Sequence, residues 1–249
     1  MKITFGKTTM NILVRQPGGL GDIFFIQKLC KVLAQDHDVY PPVTSQMWSA
    51  GADQLDTGNV HCGVNLPIPS DSAVYDCSEQ YTLAPGRGKD EVMTSKYDGA
   101  RIDWTDWRNY FKYNRIPERE QALKEQLEIK DGEPFILANK LYGFQKWHNG
   151  VELTIPKDYD GKVIWMHPSM TQKLFDWCWM LENAEQIHLV ETSINYLIDT
   201  LDVKATALVA HPRHWKNTEP CVGKLFNQPW QWVEYEREFW RQMVPEELE

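Results

Sequence analysis

The chain has 249 residues, of which 42% are hydrophobic and 24% charged, with a net charge of −9. That length and composition bound it to one large or two small domains of the water-soluble globular class. No run of about 18 consecutive apolar residues offers a membrane span. The negative charge argues against a broad electrostatic grip on nucleic acid, while leaving room for a local basic cleft.

From the N-terminus, "MKITFGKTTMNILVRQ" shows no apolar core followed by a small-residue cleavage site, so no secretory signal is expected. Asn11 to Arg15 reads as a short strand, followed by Pro-Gly-Gly-Leu-Gly-Asp and a helix from Ile23 to about Gln35. That helix is apolar on most faces, which predicts burial on both sides. "DVYPPVTS" reads as a strand ended by prolines and "MWSAGADQL" as a short helix. "HCGVNLPI" and "SAVYDCS" read as further strands, giving an α/β layered pattern with a parallel sheet. Residues 80–100 are turn-rich and polar and are expected to form a mobile loop. A charged helix follows from Pro117, and "KDGEP" then marks a domain boundary.

The second half repeats the grammar. "PFILANK", "KVIWMH", "QIHLVE" and "ATALVAH" are predicted strands. "TQKLFDWCWMLENA", with Thr171 as N-cap, and "TSINYLIDTLDV" are predicted helices. A helix of mixed charge is expected from about Trp232. The expected domains are therefore 1–131, 132–231 and a C-terminal helix at 232–249. Two such halves create a cleft at the carboxyl ends of two sheets, where ligands bind in this architecture.

Cysteines and aromatics say less about function. Cys30, Cys62, Cys77, Cys178 and Cys221 are odd in number and contain no CxxC pair, which fits free thiols in a reducing cytoplasm. Together with the seven histidines they make no zinc pattern. The 11 tryptophans cluster in "DWTDWRNYF" and "QPWQWVEYEREFW". Large rings mostly fill cores, although they also clamp domain interfaces and stack on sugars or bases.

Several residues suit a site, each with a plainer alternative. Gly18, Gly19 and Gly21 let the backbone turn sharply and approach a ligand. Their pattern is neither GxGxxG nor a P-loop, which needs a following Lys-Ser/Thr. Asp22 stands where an N-cap belongs, and held at a cleft edge it can also take a proton from an attacking hydroxyl. Glu191 ends a strand before a helix that starts at Thr192 or Ser193. The carboxylate is either solvated or bonded to sugar hydroxyls, and the two hydroxyls either cap the helix or face an anion. Lys140 and Lys146 follow the first strand of the second half, where a lysine either is solvated or neutralises a diphosphate leaving group. His167 ends the next strand, either as part of a turn or aimed into the cleft. Arg213, in "HPRH", stands at a further strand end where it can face phosphate.

"NILVRQPGGLGDIFFIQKLCKVL" resembles the opening of the heptosyltransferases and related GT-B glycosyltransferases, in which a strand, a small-residue turn ending Gly-Asp and an apolar helix begin the acceptor domain. "TQKLFDWCWMLENAEQIHLVETSINYLIDTL" resembles that family's helix-strand-helix block ending in Asp-Thr-Gly-x-x-His-Leu. Here Glu191 replaces the Asp, Ser193 the Gly and Tyr196 the His. The chain is shorter than typical members and resembles a compact version of the kind found in phage genomes. The resemblance implies two Rossmann-like domains facing a cleft, with Asp22 as base toward the acceptor. It implies Lys146, with Lys140 as competitor, on the donor phosphate, Thr192 and Ser193 at the donor diphosphate, and Glu191 at the donor sugar.

The implied activity is metal-independent transfer of a sugar from a nucleotide-sugar co-substrate to a hydroxyl, with no other cofactor, since no Asp-x-Asp motif is placed to hold a metal-bound diphosphate. The acceptor is a saccharide or a hydroxylated base in phage DNA; Lys89, Lys140, Lys146 and Arg213 would touch phosphate in the second case. The alternatives are a nucleotide-sugar epimerase and a non-catalytic nucleotide-binding module of the same fold. The expected location is the cytoplasm, of a host cell if the chain is phage-encoded.

Overall fold

The computed structural model describes residues 9–16, 18–82, 91–142, 146–147, 151–213, 218–236 and 239. The chain divides into two compact units, Met1–Asn114 and Arg115–Glu249. Each is built on a parallel sheet, as the alternation of strands and helices predicts.

In the first unit, β1 (Asn11–Arg15) lies between β2 (Asp38–Tyr40) and β3 (Ala73–Asp76), and both pairings are parallel. Ile12 and Val14 point into the core while Arg15 is exposed, the period-two pattern of a strand covered on one face. The predicted helix after the glycines is two, α1 (Leu20–Phe25) and α2 (Gln27–Leu33), joined at Ile26. Every residue from Ile23 to Cys30 is buried, so the expected burial on both sides holds. The two polar members are bonded there: the Gln27 amide donates to the Ile23 carbonyl at 3.1 Å, and the Lys28 ammonium pairs with the Asp106 carboxylate.

α3 (Ser45–Ala50) begins at Thr44, whose hydroxyl accepts the Met47 N–H at 3.2 Å. The strand expected in "HCGVNLPI" does not form. Asn65 turns the chain with a φ of 52°, and the segment meets the sheet only through a bridge between Gly63 and Pro42. α4 (Cys77–Thr82) follows β3 directly. Of the loop expected at 80–100, residues 83–90 lie outside the described residues, and Thr94–Tyr97 form a buried 3-10 turn. The aromatic cluster fills the core: Phe24 stacks on Phe111 with centroids 4.5 Å apart, and Phe25 meets Tyr97 and Trp107 edge-on.

The second unit begins ahead of the charged helix rather than at Asp131. α5 (Pro117–Gln126) packs against a 3-10 turn at Leu174–Trp177 and against α6 (Cys178–Asn183). Buried Glu120 explains the attachment. Its carboxylate accepts from Arg115 Nε at 2.8 Å and from the Trp179 N–H at 2.9 Å, while Arg119 pairs with Asp176 at 2.7 Å. Thr171 does not cap the helix after it; its hydroxyl donates to Asp176 at 2.5 Å, and Lys173 and Trp177 occupy the two cap positions.

The sheet of this unit has β4 (Phe135–Asn139) between β7 (Lys162–Trp165) and β8 (Gln186–Val190), with β9 (Ala207–His211) and β10 (Gln231–Trp232) beyond β8. All four pairings are parallel. β5 (Leu141–Tyr142) and β6 (Lys146–Trp147) form an antiparallel ladder after β4, which the sequence reading did not anticipate. α7 (Ser193–Ile198) follows β8, and α8 (Glu219–Val222) lies between β9 and β10. Trp232 ends a strand instead of opening a helix, residues 233–236 have no regular structure, and most of the remaining expected helix lies outside the described residues. No helix among the described residues is long and apolar enough to cross a membrane.

Trp107 is fully buried against Phe25 and Phe111. Trp107→Ala is expected to lower stability by about 3–5 kcal/mol, read as a lower urea midpoint for the first unit.

Candidate functional site

In a parallel sheet every strand finishes on the same side, so residues just past the strand ends collect along one edge. In the first unit this edge carries the glycine turn. Asp22 is not the N-cap: Gly19 holds that position and Asp22 is the third residue of α1. Its Oδ2 accepts the Gly19 N–H at 2.7 Å, closing the first turn from inside. Its Oδ1 is bonded to the ammonium of Lys96, a buried residue of the Thr94–Tyr97 turn. The Asp22 side chain keeps 22% of its surface exposed, so it is part-buried rather than sealed in the core.

Gly18 has a reason of its own. A Cβ there would run into the Asp22 carboxylate and the Gln16 amide. The residue is glycine because Asp22 occupies the space a side chain would need, whatever else approaches. Gly19 leaves the same carboxylate 3.9 Å from where its Cβ would be, and Gly21 lies within α1.

The edge of the second unit gathers more of the expected residues. Along it, in the order of the strands, stand Arg213 after β9, Glu191 after β8, Lys140 after β4 and His167 after β7. At the usual interstrand spacing these four positions span roughly 14 Å.

Glu191 is 2% exposed, which removes the solvated alternative. Its N–H donates to the His211 carbonyl at 2.8 Å, extending the β8–β9 ladder, and its carboxylate lies 3.6 Å from Arg213 Nε. Burying a carboxylate is costly unless a cation answers it, so the pair marks a built feature. Thr192 caps α7: its hydroxyl accepts the Ile194 N–H at 3.3 Å and its own N–H donates to Asn195 Oδ1 at 3.0 Å. Ser193 is the first residue of that helix.

Lys140 sits on a turn braced by Asn139, whose amide donates to the Leu141 carbonyl at 3.0 Å and accepts the Leu141 N–H at 3.1 Å. Lys146 stands in β6, opposite Tyr142; its side chain lies outside the described residues, as do Lys89 and His148. His167 is exposed, and its Nδ1 accepts the Ser169 N–H at 3.2 Å, which ties the ring into its own turn. Among the described residues no group of three or more His, Cys, Asp or Glu is placed to hold a metal ion.

Two participants escaped the sequence reading. Lys96 sits in "MTSKYDG", with no local signature, and meets Asp22 from 74 residues away. His211 is fully buried, and its Nε2 accepts the Thr154 N–H at 3.3 Å. The proton of the neutral ring therefore sits on Nδ1 and is donated to the Tyr235 oxygen at 2.8 Å. Burial, reinforced by His188 and by the charge of Lys140, pushes His211 from the ordinary 6.5 down to about 4. The ring thus pins residue 154 and residue 235 to the end of β9, beside Glu191.

No family model matches the sequence, and neither does any curated protein. Among solved structures the chain is similar to a glycosyl transferase of family 9 from Veillonella parvula DSM 2008. The TM-score is 0.57 at 10% identity, over 97% of this chain and 92% of that one. It is also similar to the ADP-heptose LPS heptosyltransferase II of E. coli, with a TM-score of 0.49 at 11% identity over 92% and 91%. The first likeness shows a shared fold.

The pKa of His211 sets a pH dependence. Between about pH 6.5 and 4 the unfolded chain binds a proton that folded His211 refuses, so stability falls as pH falls through that window. Urea midpoints measured from pH 7 down to pH 4.5 are expected to decline in the wild type. The decline should be shallower in His211→Gln, with the remainder including His188, which burial shifts the same way.

Proposed function

We propose that this protein is a glycosyltransferase that moves a sugar from a nucleotide-sugar donor to an acceptor hydroxyl. What supports the reading is the chemistry at the strand ends of each unit taken by itself. A part-exposed carboxylate, Asp22, is fixed at the head of α1, and the Glu191, Arg213 and Lys140 set lines the edge of the larger sheet. The likeness in fold to a structure described as a family 9 glycosyl transferase supports it over nearly the whole chain.

In this reading the second unit binds the donor. Lys140, Lys146 and Arg213 face the diphosphate together with Thr192 and Ser193, and Glu191 accepts hydrogen bonds from the sugar hydroxyls. The Gly18–Asp22 turn receives the acceptor. Asp22 takes the hydroxyl proton, the acceptor oxygen bonds to the anomeric carbon, and the bond from that carbon to the diphosphate oxygen breaks. The nucleoside diphosphate leaves with the electron pair, and the lysines and arginine neutralise its charge without a bound metal.

The acceptor we favour is a saccharide. A hydroxylated base in phage DNA would call for a broad cationic surface to meet the phosphate backbone, whereas the chain carries a net charge of −9. The reading places the enzyme in a reducing cytoplasm, where Cys30, Cys62, Cys77 and Cys178 stay free thiols. One rival has an observation in its favour. Both Asp22 oxygens already serve the fold, on Gly19 and on Lys96, as they would in a non-catalytic nucleotide-binding module.

Asp22→Asn decides between them. Asparagine keeps the shape and one acceptor oxygen, for Gly19 or for Lys96 but not both, and cannot take a proton. With whichever nucleotide sugar of a panel the wild type turns over in the presence of saccharide acceptors, the variant is expected to lose about 10²–10⁴-fold in kcat while still binding the donor. Undiminished turnover by a folded variant would remove Asp22 as the base, and no turnover by the wild type with any donor would favour the binding module.

A further inference from the structure

We propose that Lys96 is a positioning residue for Asp22, holding its part-exposed carboxylate in a single orientation for the acceptor. The proposal rests on the reading of Asp22 as the acceptor-side base. Lys96 is an unusual residue to find here: its side chain is only 6% exposed, and a buried ammonium is tolerated only beside a carboxylate or equivalent acceptors. Its partner is Asp22 Oδ1, while Oδ2 is taken by the Gly19 N–H. One bond runs within α1 and the other comes from a turn 74 residues on in the sequence. Two bonds to two different oxygens fix both side-chain torsions, where either alone would leave the carboxylate free to rotate.

The ion pair is not needed to hold the turn that carries Lys96. The Tyr97 hydroxyl donates to the carbonyl of Phe25, at the end of α1. The Tyr75 hydroxyl, on β3, donates to the Lys96 carbonyl at 2.9 Å. The backbone of the turn is thus tied to both α1 and β3 without the lysine side chain. Gly18 completes the cradle, since any side chain there would displace the carboxylate that Lys96 holds. What the ammonium adds is the direction of Asp22.

The test compares Lys96→Met, which keeps the apolar stem and loses the charge, with Lys96→Arg, which keeps the charge, and with Tyr97→Phe, which loosens the turn and leaves the pair. The first readout needs no substrate: hydrogen exchange of the Gly19 amide, followed by NMR. Exchange is expected to rise about tenfold or more in Lys96→Met and to stay near wild type in Lys96→Arg. The second readout is turnover of the nucleotide sugar that the wild type uses. Lys96→Met is expected to lose about 10–100-fold in kcat with an unchanged donor KM, and Lys96→Arg to recover a large part of it.

Unchanged Gly19 exchange in folded Lys96→Met would overturn the proposal. So would an equal kcat loss in Tyr97→Phe, since the turn and not the ammonium would then be responsible. If Gly19 exchange responds as expected while Asp22→Asn keeps full turnover, Lys96 does position Asp22 and it is the assignment of Asp22 as base that fails.

Discussion

Parallel pairing is the constraint on which the rest of the molecule depends. Each parallel strand must be followed by a crossover that returns the chain to the opposite edge, so all carboxyl ends, and the loops that leave them, collect on one side. In the second unit this brings Lys140, Glu191 and Arg213 to the ends of three adjacent strands although 73 positions separate the first from the last. In the first unit it sets the glycine turn of β1 level with Asp76 at the end of β3, which pairs in register with Arg15. Charged and polar side chains that are scattered in sequence are therefore gathered at strand ends.

Charge burial is the second theme, and it separates two kinds of placement. Glu120, Lys28 and Lys124 are buried charges whose partners fasten helices to their own unit, and each has a mechanical task. Glu191 and the Asp22–Lys96 pair differ, because they stand at the sheet edges where ligands bind in this architecture. Buried ion pairs contribute little net stability compared with well-packed apolar groups. Keeping them at a strand end costs the fold something that packing alone would not demand.

Much of this was legible in the sequence, and the misses have identifiable causes. The strands β4, β8 and β9 show as short apolar runs bounded by turn residues, because a strand buried on both faces has no polar positions to interrupt it, while β1 and β7 show as short β-prone runs ended by turn residues. Residues Asp22 and Glu191 were found because they follow such strands. The strand expected near Gly63 failed because Asn65 and Pro67 favour a turn over a ladder. Helix α5 was placed at the end of the first half on chain order alone; its attachment to the second depends on Glu120 reaching Arg115 and the Trp179 backbone, a contact no local pattern encodes. Lys96 and His211 were missed for the same reason. Their roles lie in partners distant in sequence, Asp22 in one case and Thr154 with Tyr235 in the other.

The central claim is that the strand-end residues of the second unit hold a nucleotide sugar. Thermal unfolding in the presence of UDP, GDP, ADP or CMP, and of their sugar conjugates, tests it most directly, because a ligand that binds only the folded state raises its melting temperature. The account predicts a rise of several degrees with one nucleotide and its sugar, weakened in Arg213→Ala. No rise with any member of the set, at concentrations well above those at which such donors ordinarily bind, would contradict it.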